Sequence, residues 1–120
     1  MNLVNFYRNT AFDERYDENS FIGKILDYNL WSDTEYWKLE ADLLKILKKY
    51  KNKNFDDEIM QGIISICNDI FVNIAWQCVS ISKEDKCYKI DENLVENLEP
   101  SIYDRFIRIK KLLTKFSSIL

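Results

Sequence analysis

The side chains that could do chemistry in this 120-residue chain are almost all carboxylates, because histidine is absent. Without it there is no Ser–His or Cys–His nucleophile pair. The commonest general base and metal ligand at neutral pH is missing too. Two glycines leave no room for a phosphate-cradling loop or a dinucleotide fingerprint. Carboxylate pairs could serve as acid and base, and Asp13/Asp17 and Asp56/Asp57/Glu58 supply the candidates. Surface carboxylates are ordinarily just solvated, however, and nothing in the sequence buries or tunes these. Di-metal carboxylate bundles draw on Glu-x-x-His pairs, which this chain lacks. Cys67, Cys78 and Cys87 are odd in number with no close pair, so neither a disulfide framework nor a zinc site follows. The expectation is a chain with no catalytic residues, no cofactor and no metal.

What remains suits recognition. Aromatics interleave with acids at Tyr16, Asp17, Glu18, Tyr28, Trp31, Asp33, Glu35, Tyr36 and Trp37. Interface anchors are typically Trp and Tyr in desolvated pockets, and acids around them meet a partner's Lys and Arg. The plainer assignment makes the aromatics core and the acids helix caps. Trp37 is expected in the core and Glu35 in a cap. Trp31, followed by polar turn residues, is the candidate exposed anchor.

The charge map agrees with a basic partner. The formal charge is −3, but residues 1–44 carry −5 and residues 54–100 carry −7. The run Lys45, Lys48, Lys49, Lys51 and Lys53 gives +5, and residues 101–120 give +4. Such an acidic balance argues against nucleic acid or a membrane surface as partner. Lysines after helix C-termini and acids before N-termini also complement the helix macrodipole, which explains many single clusters without function.

The elements that must position these residues read as helices. Apolar residues make up 47% and aromatics 14%, enough to fill a core, while two glycines and one proline are too few for a sandwich or barrel. A short helix or extended piece is expected over 2–10. Ser20 offers an N-cap for a helix through Leu30, weakened by Gly23. Ser32-Asp33-Thr34-Glu35 fits a capping box, and Trp31 just before it suits a hydrophobic staple. The helix that follows ends in the lysine run. A third helix should open near 54–57 and run to about Cys78, apolar around much of its circumference and therefore packed on several sides. Asn68, Asp69, Asn73 and Gln77 argue against a membrane span there, since a mid-bilayer charge costs at least ~2.5 kcal/mol. A loop is expected over 80–91 and a short helix over 92–98. Pro100 suits the first turn of a last helix with Ile102, Phe106, Ile109, Leu113 and Phe116 on one seam. The fold class is all-α: one compact bundle of about four main helices, with 1–120 a single domain. No charged-then-apolar leader opens the chain, so a cytoplasmic location is expected.

The stretch FYRNTAFDERYDENSFIGKILDYNLWSDTEYWKLEADL, residues 6–43, resembles the N-terminal half of small helical immunity proteins of bacterial contact-dependent growth-inhibition and related polymorphic-toxin systems. The Tyr16 to Lys24 run and the Leu30 to Glu40 run carry the resemblance. It implies a cytosolic, non-enzymatic protein that binds one toxin's C-terminal domain, commonly a basic nuclease, and blocks its active site or substrate path. An acidic face would mimic the phosphates such a toxin expects and would steer encounter. Contact residues do not transfer between immunity subfamilies, so the site residues come from this sequence alone. They are Asp13, Glu14, Tyr16, Asp17 and Glu18, then Trp31, Asp33 and Tyr36, with Asp56, Asp57 and Glu58 as a second face. The expected partner is a cognate toxin domain, an RNase in preference, held one-to-one by a chain that is monomeric when free. The alternative is a small helical regulatory or adaptor subunit, dimeric through its last helix.

Overall fold

Four hydroxyl, amide and carboxylate side chains start three of the helices, and only two of them are local. In the computed structural model, which describes residues 2–51, 54–76, 80–81 and 102–117, Ser32 Oγ accepts from the Glu35 N–H at 3.2 Å and opens helix α3 (Asp33–Lys49). Ser20 Oγ accepts from the Gly23 N–H at 3.0 Å and opens α2 (Phe21–Tyr28). The expected caps are therefore in place. A second cap on α2 comes from a distance, because Asn9 Oδ1 accepts from the Ile22 N–H at 2.8 Å. The short α1 (Val4–Arg8) has no side-chain cap of its own at Leu3. Its Phe6 N–H instead donates to Asp42 Oδ2 of α3 at 2.9 Å, both groups buried. Unpaired N–H groups at a helix start need such acceptors.

Helix α2 stops two residues short of expectation. Asn29 takes up the left-handed conformation, with φ 53°, and its N–H closes back on the Ile25 and Lys24 carbonyls. That is a C-cap which asparagine tolerates better than most residues. Leu30 and Trp31 then form β1, paired in parallel with β2 (Ser80–Ile81), Leu30 opposite Ser80 and Trp31 opposite Ile81. The loop expected over 80–91 therefore begins with a strand.

Helix α3 ends with Lys48 and Lys49 in its last turn, as the macrodipole favours. Helix α4 spans Asp57–Trp76 and α5 spans Ile102–Ser117. The architecture is all-α, with five helices among the described residues, one of them only five residues long. The rest of the loop expected over 80–91, the expected helix over 92–98 and Pro100 lie outside the described residues.

The core is an aromatic centre flanked by aliphatic stripes. Phe21 meets Trp31 and Tyr36 edge-on at 4.7 and 5.4 Å, and Trp31 stacks on Tyr36 at 5.8 Å. The last contact is the expected staple, joining the residue before the cap to the fourth helical position. Ile59, Ile63, Ile66 and Ile70 form the buried stripe of α4, and Ile109, Leu112, Leu113 and Phe116 that of α5. Burying each such side chain contributes roughly 1.5–3 kcal/mol. One expectation fails here. Ile64 and Val72 of α4 are about half exposed, so the described part of that helix buries one stripe and not most of its circumference.

Both glycines sit where another chain segment comes too close for a side chain. A Cβ on Gly62 would lie 2.5 Å from the Phe6 ring, and one on Gly23 would lie 2.4 Å from the Asp17 carbonyl oxygen. Gly23 is thus the residue that lets the acidic segment 11–20 lie flat on α2.

Candidate functional site

Segment 11–20 is an ordered run of turns, not a loose acidic loop. The Asp13 N–H donates to the Thr10 carbonyl, the Tyr16 N–H to Asp13, the Asp17 N–H to Arg8 and the Ser20 N–H to Asp17, all at 3.0–3.1 Å. Two arginines then brace it. Arg8 reaches Asp17 at 3.0 Å and Glu35 at 3.2 Å, tying α1, the segment and the first turn of α3 together. Arg15 makes a two-pronged contact with Asp13 at 2.7 and 2.8 Å and extends one nitrogen to Glu58 at 2.8 Å. Its guanidinium also lies 3.5 Å above the centre of the Tyr7 ring.

The Arg15 bridge joins what the sequence offered as two separate acidic faces. Asp13 to Glu18 and Asp56 to Glu58 meet across it and form one surface. Bracing also divides that surface. The Arg15 hydrogen bond holds the Asp13 carboxyl at about 2, far below its usual range. The Asn19 backbone N–H, with Arg8, lowers Asp17. Asp13, Asp17 and Glu58 therefore spend their charge within the chain. Asp56 accepts from the Tyr50 hydroxyl at 2.7 Å. Among the described residues, no lysine or arginine pairs with Glu14, Glu18, Asp27 or Asp57. All four are exposed.

The Trp31 corner lies elsewhere. Trp31, Asp33 and Tyr36 are each fully buried, and the Trp31 indole N–H donates to Asp33 Oδ1 at 3.0 Å inside the fold. The expectation of an exposed Trp31 anchor is corrected. The staple and the β1–β2 pairing draw the indole inward, and Asp33 at the first helical position satisfies its only donor. Trp37 packs against the core as expected, with the Arg108 guanidinium 4.6 Å over its ring. That arginine also clamps Glu40 at 2.9 and 3.0 Å, fixing α5 to α3.

The sequence reading places Tyr28 among the interleaved aromatics but leaves it, Leu26 and Asp27 out of the candidate site. On the outer side of α2, Tyr28 is 55% exposed and Leu26 is 37% exposed. Both flank the exposed Asp27. The Tyr16 hydroxyl lies 3.4 Å from Asp27 Oδ2, and burial, then Asp27, push that phenol up to about 12. Asp69 of α4 and Glu18 stand near enough to add to the effect. The Glu18 carboxylate raises the Tyr28 phenol in turn. One Asp69 carboxylate oxygen is shut from solvent with no hydrogen-bond partner among the described residues, and burial pushes that carboxyl up. The signal for this face was a helical step, since Tyr28 and Asp27 share the exposed side of a short helix whose other side is Phe21, Ile22 and Ile25.

Burial raises the Cys67 thiol, which disfavours the nucleophilic thiolate. Among the described residues no group of three or more Cys, Asp and Glu could hold a metal, and no helix is long and apolar enough to cross a membrane.

Comparison with known proteins gives one match. The family model of Immunity protein 41 matches residues 8–116, which takes in the braced acidic segment, α2 to α4 and nearly all of α5. No curated protein and no solved structure matches the chain.

Proposed function

The chain belongs to the Immunity protein 41 family, and from that membership we propose that it neutralises a cognate toxin by tight one-to-one capture of the toxin's C-terminal domain. The toxin is a basic nuclease, an RNase in preference, and the chain blocks its active site or substrate path without catalysing a reaction. It acts in the cytoplasm as a monomer.

The observation that carries this reading is the division of the acidic surface. Asp13, Asp17 and Glu58 are neutralised by the chain's own arginines and hold the segment rigid. Glu14, Glu18 and Asp57 are left exposed with no cation among the described residues. A rigid scaffold presenting uncompensated carboxylates raises encounter rates with a basic surface, and it loses little conformational entropy on docking. The same carboxylates offer the oxygens and charge of a phosphate backbone.

The adaptor alternative needs the last helix free for dimerisation. Ile109, Leu112, Leu113 and Phe116 of α5 are buried against the chain's own core, so the described part of that seam is already occupied. This favours the toxin-binding reading.

The test is protection. The resemblance to immunity proteins implies a toxin gene beside this one, so cells expressing the C-terminal domain encoded immediately upstream should survive when the chain is co-expressed. Protection should weaken when Glu14, Glu18 and Asp57 are all changed to lysine. Full protection by that triple variant would remove acidic capture, and no protection by the unaltered chain would remove the immunity reading itself.

A further inference from the structure

We propose that the outer face of α2 with the adjoining turn, built on Tyr28, Leu26, Asp27, Glu18 and Tyr16, is the surface that anchors the toxin, and that it takes a toxin segment pairing an apolar side chain with a lysine or arginine. The proposal rests on the immunity reading above and adds to it where the energy of capture resides.

Three observations converge on this face. First, it is apolar and exposed together: Tyr28 and Leu26 leave 55% and 37% of their surface open, next to the exposed Asp27. A tyrosine offers a large, rigid contact area with a polar tip, and such residues dominate interface energetics. Second, phenols stand beside the acids here. Asp27 Oδ2 lies 3.4 Å from the Tyr16 hydroxyl, and the Glu18 carboxylate raises the Tyr28 phenol. A neutral donor orients a carboxylate without cancelling its charge, so the negative potential stays available to a partner. Third, charge accumulates without compensation. Glu18, Asp27 and Asp69 all act on the Tyr16 phenol, and no lysine or arginine among the described residues pairs with any of the three. A guanidinium or ammonium group seated beside the tyrosines would meet that field in a partly desolvated setting, where such pairs are strongest. The face is also rigid, because Gly23 lets the turn of Asp17 and Glu18 rest directly on α2.

Glu14 and Asp57 lie outside this face and serve long-range attraction. The two roles separate kinetically, since rim charges set association and desolvated anchors set dissociation. The experiment measures both rate constants by surface plasmon resonance, using the inactivated C-terminal domain encoded immediately upstream. Tyr28→Ala and Asp27→Lys, each exposed in the free chain, are made separately, and urea unfolding confirms that each is folded. Each should raise the dissociation rate about tenfold or more, with Tyr28→Ala leaving association within about twofold. The pair Glu14→Lys and Asp57→Lys should chiefly slow association. If the unaltered chain binds and neither α2 variant changes dissociation, the anchoring face is overturned while the immunity reading stands. If the unaltered chain does not bind that domain at all, both fall.

Discussion

Among the described residues, removing the Arg8 guanidinium would leave Asp17 without a cation and Glu35 with only the exposed Lys38. Arg8 is 19% exposed, and its Glu35 partner 12% exposed, so water replaces neither contact fully. Arg8→Ala should therefore destabilise the fold by about 1–3 kcal/mol, above the level of an exposed pair and below that of a fully buried one. Glu14→Ala, with no ion pair among the described residues, should stay within about 0.5 kcal/mol. Urea unfolding of the two variants decides this. Asp69 makes the opposite prediction. Burial raises its folded-state pKa, so the ionised form is harder to hold in the folded chain than in the unfolded one. Its contribution is favourable below the ordinary carboxylate range and is lost as pH rises through the folded value. Asp69→Asn should thus stabilise the chain at pH about 7, with the gain vanishing below pH about 4. A gain that persisted in acid would point to packing instead of charge.

At the scale of elements, Gly23 sets helix propensity against close packing. Alanine there should strengthen an isolated α2 by about 1 kcal/mol. Its Cβ would lie 2.4–2.6 Å from backbone atoms of Asp17 and Glu18, which cannot swing aside as a side chain can. Overpacking of that kind costs roughly 1–3 kcal/mol, so Gly23→Ala should lower the urea midpoint despite the better helix former. A raised midpoint would mean that the acidic turn is not held against α2. The same comparison shows what was legible in the sequence. The starts of α2 and α3 could be read because Ser20 and Ser32 bond to N–H groups three residues on. The caps from Asp42 to α1 and from Asn9 to α2 span 36 and 13 residues, and no local pattern announces them. The parallel pairing of Leu30 and Trp31 with Ser80 and Ile81 is equally non-local, and it turns Trp31 from expected anchor to core. Acidity itself was plain in composition. Which acids are braced and which are presented depends on where Arg8 and Arg15 reach.

For the whole molecule, the formal charge of −3 understates the negative face. Lys48 and Lys49 carry positive charge in the last turn of α3, and the acids of segment 11–20 and α4 meet through Arg15. A chain so polarised should approach a basic partner by long-range attraction and then hold it by contacts near α2. The ionic-strength dependence of association is the most direct reading of that claim. Stopped-flow mixing of the unaltered chain with the inactivated C-terminal domain encoded immediately upstream should give a one-to-one complex. Its association rate constant should fall at least about tenfold between about 50 mM and about 500 mM salt, as the Debye length shrinks. An association rate that stayed level across that range, or the absence of any complex, would contradict capture by an acidic face.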